Sequence, residues 1–217
     1  MASGIELVVF DLGRVLVRIC KDWRHACQMA GIVPPPEERV AAGWARVHDA
    51  VCRVEVGHIT GDEFCAEVAA AFGVLPGEIS AALAAFTHGP YPGAVELLDE
   101  LQARGVATAC LSNTNEPHWR LMRDPSSHTY FPFDRLTHAF ASHLLRLRKP
   151  DDAVYAHVER ATGVRGDRIV FFDDVAENVE GARRRGWHAY HVDPAPDAPL
   201  PQVRSHLETQ GVLYTRD

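Results

Sequence analysis

The sequence predicts an α/β protein in which a doubly wound parallel sheet carries a helical cap inserted after its first strand. Two observations predict this fold class. Apolar runs of strand length alternate with amphipathic helical segments beyond residue 90, whereas residues 20–90 show helical patterns and no convincing strand. We therefore expect a Rossmann-like core domain over residues 1–18 and 91–217, and a helical cap subdomain over residues 19–90.

Short apolar runs predict the strands of the sheet. The clearest runs cover residues 5–10, 106–111, 168–172 and 188–192, and a weaker run covers residues 136–141. These runs show little polar alternation. Strands of that kind are buried on both faces, as in a parallel sheet covered by helices.

Helices are predicted between these runs. Their segments cover residues 92–104, 151–162 and 176–185, and each is followed by a glycine that suits a helix end. Within the cap, Thr60 and Glu63 form a capping-box pattern, and a further helix is expected over residues 78–86. Residues 193–201 hold four prolines and are expected to be extended.

Composition excludes several classes of protein. No apolar run approaches the ~20 residues of a membrane span, and the first strand follows Met1 too closely for a signal peptide. Five cysteines without CxxC spacing predict free thiols in a reducing cytoplasm. A net charge of −7 argues against a general nucleic-acid binder but leaves room for one small phosphorylated partner. The oligomeric state stays open.

Four polar motifs follow predicted strands or precede a helix, where ligands of open parallel sheets bind. They are Phe10-Asp11-Leu12-Gly13-Arg14-Val15, Leu111-Ser112-Asn113-Thr114-Asn115, Arg148-Lys149-Pro150, and Phe171-Phe172-Asp173-Asp174 followed by Glu177, Asn178 and Gly181. Lys149 stands out because the chain has 20 arginines and only one other lysine, Lys21. A compact point charge is therefore indicated at Lys149.

The order and spacing of these motifs resemble the haloacid dehalogenase (HAD) superfamily of hydrolases. The segment Glu55-Val-Gly-His-Ile59, with Phe64, is similar to the cap of its epoxide-hydrolase-like branch. Asp-Leu-Gly and Asp-Asp-x-x-x-Asn segments like those here also occur in the bacterial α-D-glucose-1-phosphate phosphatases of this superfamily. The resemblance implies a Mg²⁺-dependent phosphatase that works through an aspartyl-phosphate.

The resemblance also implies a role for each motif. Asp11 would be the nucleophile and, with Asp174 and the backbone carbonyl of Gly13, would hold Mg²⁺, while Asp173 would support the metal. The phosphate would be bound by Ser112, the Asn113 backbone amide and Lys149, with Arg14 as a further contact. Lys149 would also be catalytic, because its ammonium would lie against both the phosphate and Asp11. Asn178 would orient the acidic loop. Arg14 has a second interpretation, as a structural group at the cap interface.

The sequence departs from the family pattern at Gly13, where most phosphatases of the superfamily carry an acid–base Asp. General acid–base help is typically worth ~10²–10⁴ in rate. Three explanations remain open. The leaving group needs little protonation, as in a sugar 1-phosphate; a substitute acid comes from the cap, His88 or His118; or catalysis is slow or lost.

The sequence is compatible with three functions. A phosphomonoesterase acting on a small phosphorylated metabolite, with a sugar phosphate as the best guess, is favoured because Asp173 and Asp174 are both present. A 2-haloacid dehalogenase-type hydrolase also lacks the second Asp, but such enzymes need no metal and usually lack the acidic pair. A non-catalytic phosphate-binding protein is suggested only by Gly13 and Arg14. In any of these, Arg18, Trp23 and Arg24 are candidate substrate-selecting residues at the cap entrance.

Overall fold

A computed structural model of the chain describes residues 4–194 and 198–213. Its elements follow one another as β1 (Leu7–Phe10), β2 (Val17–Ile19), α1 (Trp23–Met29), α2 (Glu37–Glu55), α3 (Gly61–Phe72), α4 (Pro76–Ala84), β3 (Thr87–Pro90), α5 (Ala94–Ala103), β4 (Ala107–Ser112), α6 (Glu116–Arg123), β5 (His138–Ala141), α7 (Ser142–Leu145), α8 (Asp152–Thr162), β6 (Ile169–Asp173), α9 (Ala176–Arg184), β7 (His188–His191) and α10 (Pro199–Thr209). Five of the strands form one parallel sheet in the order β5-β4-β1-β6-β7. The predicted fold class is confirmed.

The central strand β1 shows how the sheet is covered on both faces. Val8 and Phe10 pack into one hydrophobic cluster with residues of α5, α6 and α10. Leu7 and Val9 point the other way, into a cluster with residues of α8 and α9. Successive side chains of a strand alternate between its faces, so a strand with a helical layer on each side must be apolar at every position. All four residues of β1 are fully buried.

Helices α1 to α4 form a helical block with a hydrophobic cluster of its own. The cluster is built mainly from α2, α3 and α4, and includes Val54, Phe64 and Leu83. Thr60 caps α3 with the predicted capping box, because its hydroxyl accepts from the Glu63 amide while the Glu63 carboxylate accepts from the Thr60 amide. The block connects to the sheet through β2 and β3, which pair antiparallel. The domain boundaries expected at residues 19 and 90 stay a prediction.

Two predictions about secondary structure are wrong. Residues 20–90 do contain a strand, β3, which the sequence hides because Thr87–Pro90 includes a glycine and a proline. The segment expected to be extended over residues 193–201 enters helix α10 at Pro199, where prolines in the first helical turn cost no hydrogen bond. Residues 195–197 of that segment lie outside the described residues.

The helices are short or polar by the standard of a membrane span. Within residues 4–194 and 198–213, no single helix is long and apolar enough to cross a bilayer. The pair α3 and α4 passes this test only when taken together, and the two helices are bent by 116° where they meet.

Candidate active site

The carboxyl ends of three adjacent strands bring most of the predicted site residues together. The central strand β1 is paired with β4 on one side and β6 on the other, with Phe10 level with both Cys110 and Phe172. Asp11 follows β1 directly, and its amide donates to the carbonyl of Phe172 at 2.8 Å. Ser112 ends β4 and Asp173 ends β6. The sheet topology thus places side chains from distant parts of the sequence at one edge.

Lys149 contacts the carboxylates at the ends of β1 and β6. Its Nζ lies 2.9 Å from Asp11 Oδ1 and 2.6 Å from Asp173 Oδ2, and only 1% of its side chain is exposed. The Asn113 side chain holds this lysine in place. It donates to the Lys149 carbonyl and accepts from the Lys149 amide, both at 2.9 Å. The Asn113 side chain is therefore engaged with the protein, whereas the sequence prediction used its backbone amide.

Asp173 is completely buried and is hydrogen-bonded at both carboxylate oxygens. Oδ1 accepts from the Val175 amide at 2.8 Å and from Asn178 Nδ2 at 3.0 Å, while Oδ2 accepts from Lys149 and Asn178. A buried charge needs such a set of partners to be tolerated. These contacts are those expected of an Asn178 that orients the acidic loop.

Arg14 lies between the acidic loop and the helical block. One guanidinium nitrogen is 3.6 Å from Asp174 Oδ2, and the other donates to the Lys21 carbonyl at 2.6 Å. Its backbone has φ = 58°, in the left-handed region that few non-glycine residues adopt. Both interpretations of Arg14 keep support, because it contacts the connection to α1 and also lines the same cleft as Asp11.

Three carboxylates at this edge form a donor set that fits a hard divalent cation. Asp11, Asp173 and Asp174 each offer one oxygen, and these oxygens lie within 4.8 Å of one another. Gly13 lines the same cleft. Oxygen donors suit Mg²⁺ better than the nitrogen and sulfur donors preferred by zinc. We call this region, lined among others by Asp11, Gly13, Arg14, Ser112, Lys149 and Asp174, the acidic cleft.

The electrostatics of the acidic cleft also fit a cation. The pKa of Asp11 is raised to about 7, chiefly by burial and with help from the charges of Asp173 and Asp174, while Lys149 opposes the shift. Burial likewise raises the pKa of Asp174. Burial alone would lower the pKa of Lys149, but attraction to Asp11 and Asp173 outweighs it and the net shift is upward. Three ionised carboxylates against Lys149 and Arg14 leave a net charge of −1, which a divalent cation reverses.

Two residues of the acidic cleft were missed by the sequence analysis as site residues. Glu55, the last residue of α2, lines the cleft and pairs with Arg148, whose Nη2 and Nε lie 2.8 Å and 3.2 Å from Glu55 Oε2. Burial raises the pKa of Glu55, and Arg148 opposes this shift. The available signals were the position of Arg148 beside Lys149 and the place of Glu55 in the cap motif. Neither signal says which part of the helical block faces the sheet.

The two histidines considered as substitute acids have other contacts. His118 Nε2 lies 2.8 Å from the Leu83 carbonyl, and its Nδ1 lies 3.3 Å from Asn115 Nδ2. Burial lowers the pKa of His118 and also that of His88, whose Nε2 is 3.2 Å from Cys20 Sγ. His118 is therefore poorly suited to donate a proton to a leaving group, because both of its nitrogens are engaged, and the lowered pKa disfavours the protonated form of both histidines.

An apolar cavity of about 280 Å³ adjoins the acidic cleft. Six apolar side chains of its wall belong to the helical block or to the segments that connect it to the sheet: Val17, Ile19, Val54, Phe64, Leu83 and Phe86. The cavity and the cleft share Gly13, Ile19, Glu55, Ser112 and Asn113. We call it the apolar cavity. Trp23, one of the predicted substrate-selecting residues, also lines it, whereas Arg18 and Arg24 are not among its lining residues.

Most of the chain matches one family of known proteins. A family model described as haloacid dehalogenase-like hydrolase matches residues 5–186. The chain belongs to this family. The resemblance predicted from the four motifs is confirmed, whereas the narrower likeness to glucose-1-phosphate phosphatases stays a prediction.

Two relatives of this HAD protein are named as phosphatases. One is a phosphatase of Mycobacterium tuberculosis, 34% identical over 111 residues that cover 50% of this chain and 48% of the relative, so the match spans about half of that protein. The other is the sesquiterpene phosphatase astK of Aspergillus oryzae, 30% identical over 140 residues that cover 64% of this chain and 69% of the relative.

Solved structures share the HAD fold. A HAD family enzyme from Bacteroides thetaiotaomicron, in complex with magnesium and inorganic phosphate, superposes with a TM-score of 0.68 and 21% identity, covering 88% of this chain and 95% of that one. A dehalogenase structure superposes with a TM-score of 0.67 and 19% identity, covering both chains completely. At these identities the likeness concerns the fold and does not choose between the two chemistries.

Proposed function

We propose that this HAD hydrolase is a Mg²⁺-dependent phosphomonoesterase that acts on a small phosphorylated metabolite. The observation that carries the proposal is the contact of Lys149 with both Asp11 and Asp173, with the Asp174 carboxylate in the same cluster. The phosphatase names of the two relatives and the magnesium and phosphate in the Bacteroides enzyme support it. A cytoplasmic location is part of the proposal, supported by five free cysteines.

Asp11 is the proposed nucleophile. One of its carboxylate oxygens attacks phosphorus, the bond from phosphorus to the ester oxygen breaks, and the alcohol leaves with a proton. Water then attacks the phosphorus of the aspartyl-phosphate and gives a proton to the group that protonated the alcohol. This step releases inorganic phosphate and restores both Asp11 and the acid. Lys149 orients the carboxylate through its 2.9 Å contact and places positive charge beside the phosphate. Ser112 is the proposed hydroxyl donor to a phosphate oxygen.

Asp11, Asp174 and the Gly13 carbonyl are the proposed Mg²⁺ ligands, and Asp173 supports them while anchoring Lys149. When bound, Mg²⁺ supplies positive charge that neutralises the phosphate oxygens. The side chains of the cleft must supply the remaining charge neutralisation. Lys149 and Arg14 offset two of the three carboxylate charges, so that an anionic substrate can approach an anionic nucleophile.

The leaving group requires a proton source that Gly13 cannot provide. A β-carbon at residue 13 would lie 3.1 Å from Ile19 Cδ1, so hydrocarbon occupies the space beside that position. Glu55 lies where the acidic cleft meets the apolar cavity, and burial raises its pKa. We therefore propose Glu55 as the substitute acid, which narrows the earlier choice between the cap and the two histidines.

The dehalogenase alternative is less favoured, because Asp173 and Asp174 both take part in one carboxylate cluster. The test is phosphate release from a panel of phosphomonoesters with Mg²⁺ and with EDTA, beside halide release from 2-haloacids. We expect Mg²⁺-dependent phosphate release and no halide release. Metal-independent halide release would establish the dehalogenase instead. Phosphate binding without any turnover would establish the non-catalytic binder.

A further inference from the structure

We infer that the alcohol part of the substrate is a hydrocarbon group that occupies the apolar cavity. This rests on the proposed phosphatase function and replaces the sugar phosphate favoured from Gly13. Ser112 and Asn113 line both the acidic cleft and the apolar cavity. A phosphate held at Ser112 therefore has its ester oxygen directed either to solvent or into a chamber walled by hydrocarbon.

The polar groups of the cavity wall are mostly unavailable to a sugar. Asn115 and His118 are hydrogen-bonded to each other, and His118 also to the Leu83 carbonyl. The Asn113 side chain is held by the Lys149 backbone. Ser112, Thr114 and Glu55 are left, and Glu55 Oε2 already accepts from Arg148. These groups are too few for the several hydroxyls of a sugar, each of which needs a partner when it is taken out of water.

Two other polar atoms of lining residues do not change this conclusion. Thr87 Oγ1 and Trp23 Nε1 have no hydrogen-bond partner in the described part of the chain, but each has less than 1 Å² of accessible surface. They are enclosed within the wall and present nothing to a molecule in the cavity. A hydrocarbon group loses no hydrogen bond by entering such a chamber.

The surroundings of the ester oxygen are apolar as well. Ile19 packs beside Gly13, with its Cδ1 3.1 Å from the position that a β-carbon at residue 13 would take. Ile19 also lines both the acidic cleft and the apolar cavity. The first carbons of the alcohol would therefore contact an isoleucine side chain.

The cavity limits the size of the hydrocarbon. A volume of about 280 Å³ takes roughly nine non-hydrogen atoms at the ~30 Å³ that one water molecule occupies in the liquid. Beyond it, a second cavity of about 640 Å³ shares four lining residues with the first: Trp23, Val51, Phe64 and Phe86. These four side chains form the wall that a longer chain would meet.

The experiment compares straight-chain alkyl phosphates of increasing length, below their micelle concentrations, with sugar phosphates. We expect kcat/KM to rise roughly fourfold for each added methylene and to level off near nine carbons, with sugar phosphates no better than ethyl phosphate. Phe86→Ala opens the wall and should move the optimum to longer chains, whereas Val51→Phe should move it to shorter ones. Val33→Ala, at an exposed apolar residue outside both cavities, is the matched control.

Equal kcat/KM for ethyl and nonyl phosphate, or a preference for sugar phosphates, would overturn the inference while leaving the phosphatase proposal intact. If no phosphomonoester is hydrolysed, the phosphatase proposal fails, and the cavity is then tested by binding alone. Nonylphosphonate should bind at least a hundredfold more tightly than methylphosphonate, and equal affinities would overturn the inference.

Discussion

The acidic cleft and the apolar cavity meet at Gly13 and Ser112, yet they are built in opposite ways. In the cleft, Lys149 and Asp173 are buried and each is held by several charged or hydrogen-bonding partners. In the cavity, the wall is mainly hydrocarbon, drawn largely from the helical block and its connecting strands. The charged network is stable in only one arrangement, because a buried charge that loses its partner raises the free energy of the folded protein. An apolar wall tolerates exchanges that keep its volume.

This difference assigns separate tasks to the two parts of the chain. The parallel sheet fixes the groups that would act on phosphorus, and the helical block supplies the surface that would choose the alcohol. Changes in the cleft should therefore alter activity on every substrate, whereas changes at the junction should depend on the leaving group.

The largest expected effect comes from Asp11→Asn. Because the variant loses the proposed nucleophile, phosphate release should fall by more than about a thousandfold on every phosphomonoester. Metal-free thermal stability should not fall, since burial already raises the pKa of the carboxyl and so opposes its charge. Steady-state kinetics and thermal melts measure both. Asp134→Asn, at an exposed residue, is the control, and substantial surviving turnover would refute the nucleophile assignment.

Lys149→Met should cost about 3–5 kcal/mol of unfolding free energy, because Asp11 and Asp173 lose their shared buried cation. Urea unfolding of the metal-free protein at neutral pH measures it. The chain offers a matched control in Lys21→Met, its other lysine, which is exposed and should cost little. Equal losses for the two variants would show that Lys149 does not neutralise the cluster.

The sequence indicates which polar residues lie at the strand ends, because the end of an apolar run is visible in the local sequence. Asp11, Ser112 and Asp173 each follow or end a strand that reads as a continuous apolar run, and adjacent parallel strands must bring such residues together. The groups that the sequence analysis missed depend on tertiary placement. Glu55 is an ordinary helix-end residue until α2 lies against Arg148, and Ile19 has no visible function until it packs beside Gly13.

Glu55→Gln tests the junction between the two regions. If Glu55 protonates the leaving oxygen, kcat should fall about 100-fold for alkyl phosphates and far less for aryl phosphates, whose phenolate leaves readily. A series of substrates with decreasing leaving-group pKa measures this dependence. Glu37→Gln, which breaks an exposed pair with Arg24, is the control. An equal loss for alkyl and aryl phosphates would mean that Glu55 only positions Arg148.

Gly13→Asp should restore part of the activity that Glu55→Gln loses. An Asp at residue 13 places a carboxyl beside the leaving oxygen, provided that the terminal methyl of Ile19 moves by a few tenths of an ångström. In the Glu55→Gln background we expect about tenfold recovery on alkyl phosphates, below the ~10² typical of a well-placed acid because Ile19 crowds the site. Gly13→Ala in the same background controls for bulk. Recovery with Ala as well as Asp would exclude a proton-transfer role.

The smallest expected effect is a pH dependence of Mg²⁺ affinity. The pKa of Asp11 is raised to about 7 in the metal-free protein, so a proton is bound below that pH and must leave when the metal binds. The apparent Mg²⁺ dissociation constant should therefore fall about tenfold between about pH 6 and about pH 8, with one proton released per ion at the lower pH. Calorimetry in buffers of different ionisation enthalpy measures both quantities. Asp11→Asn should abolish this dependence, and a wild-type affinity that is flat over the same range would show that Asp11 is already ionised before the metal binds.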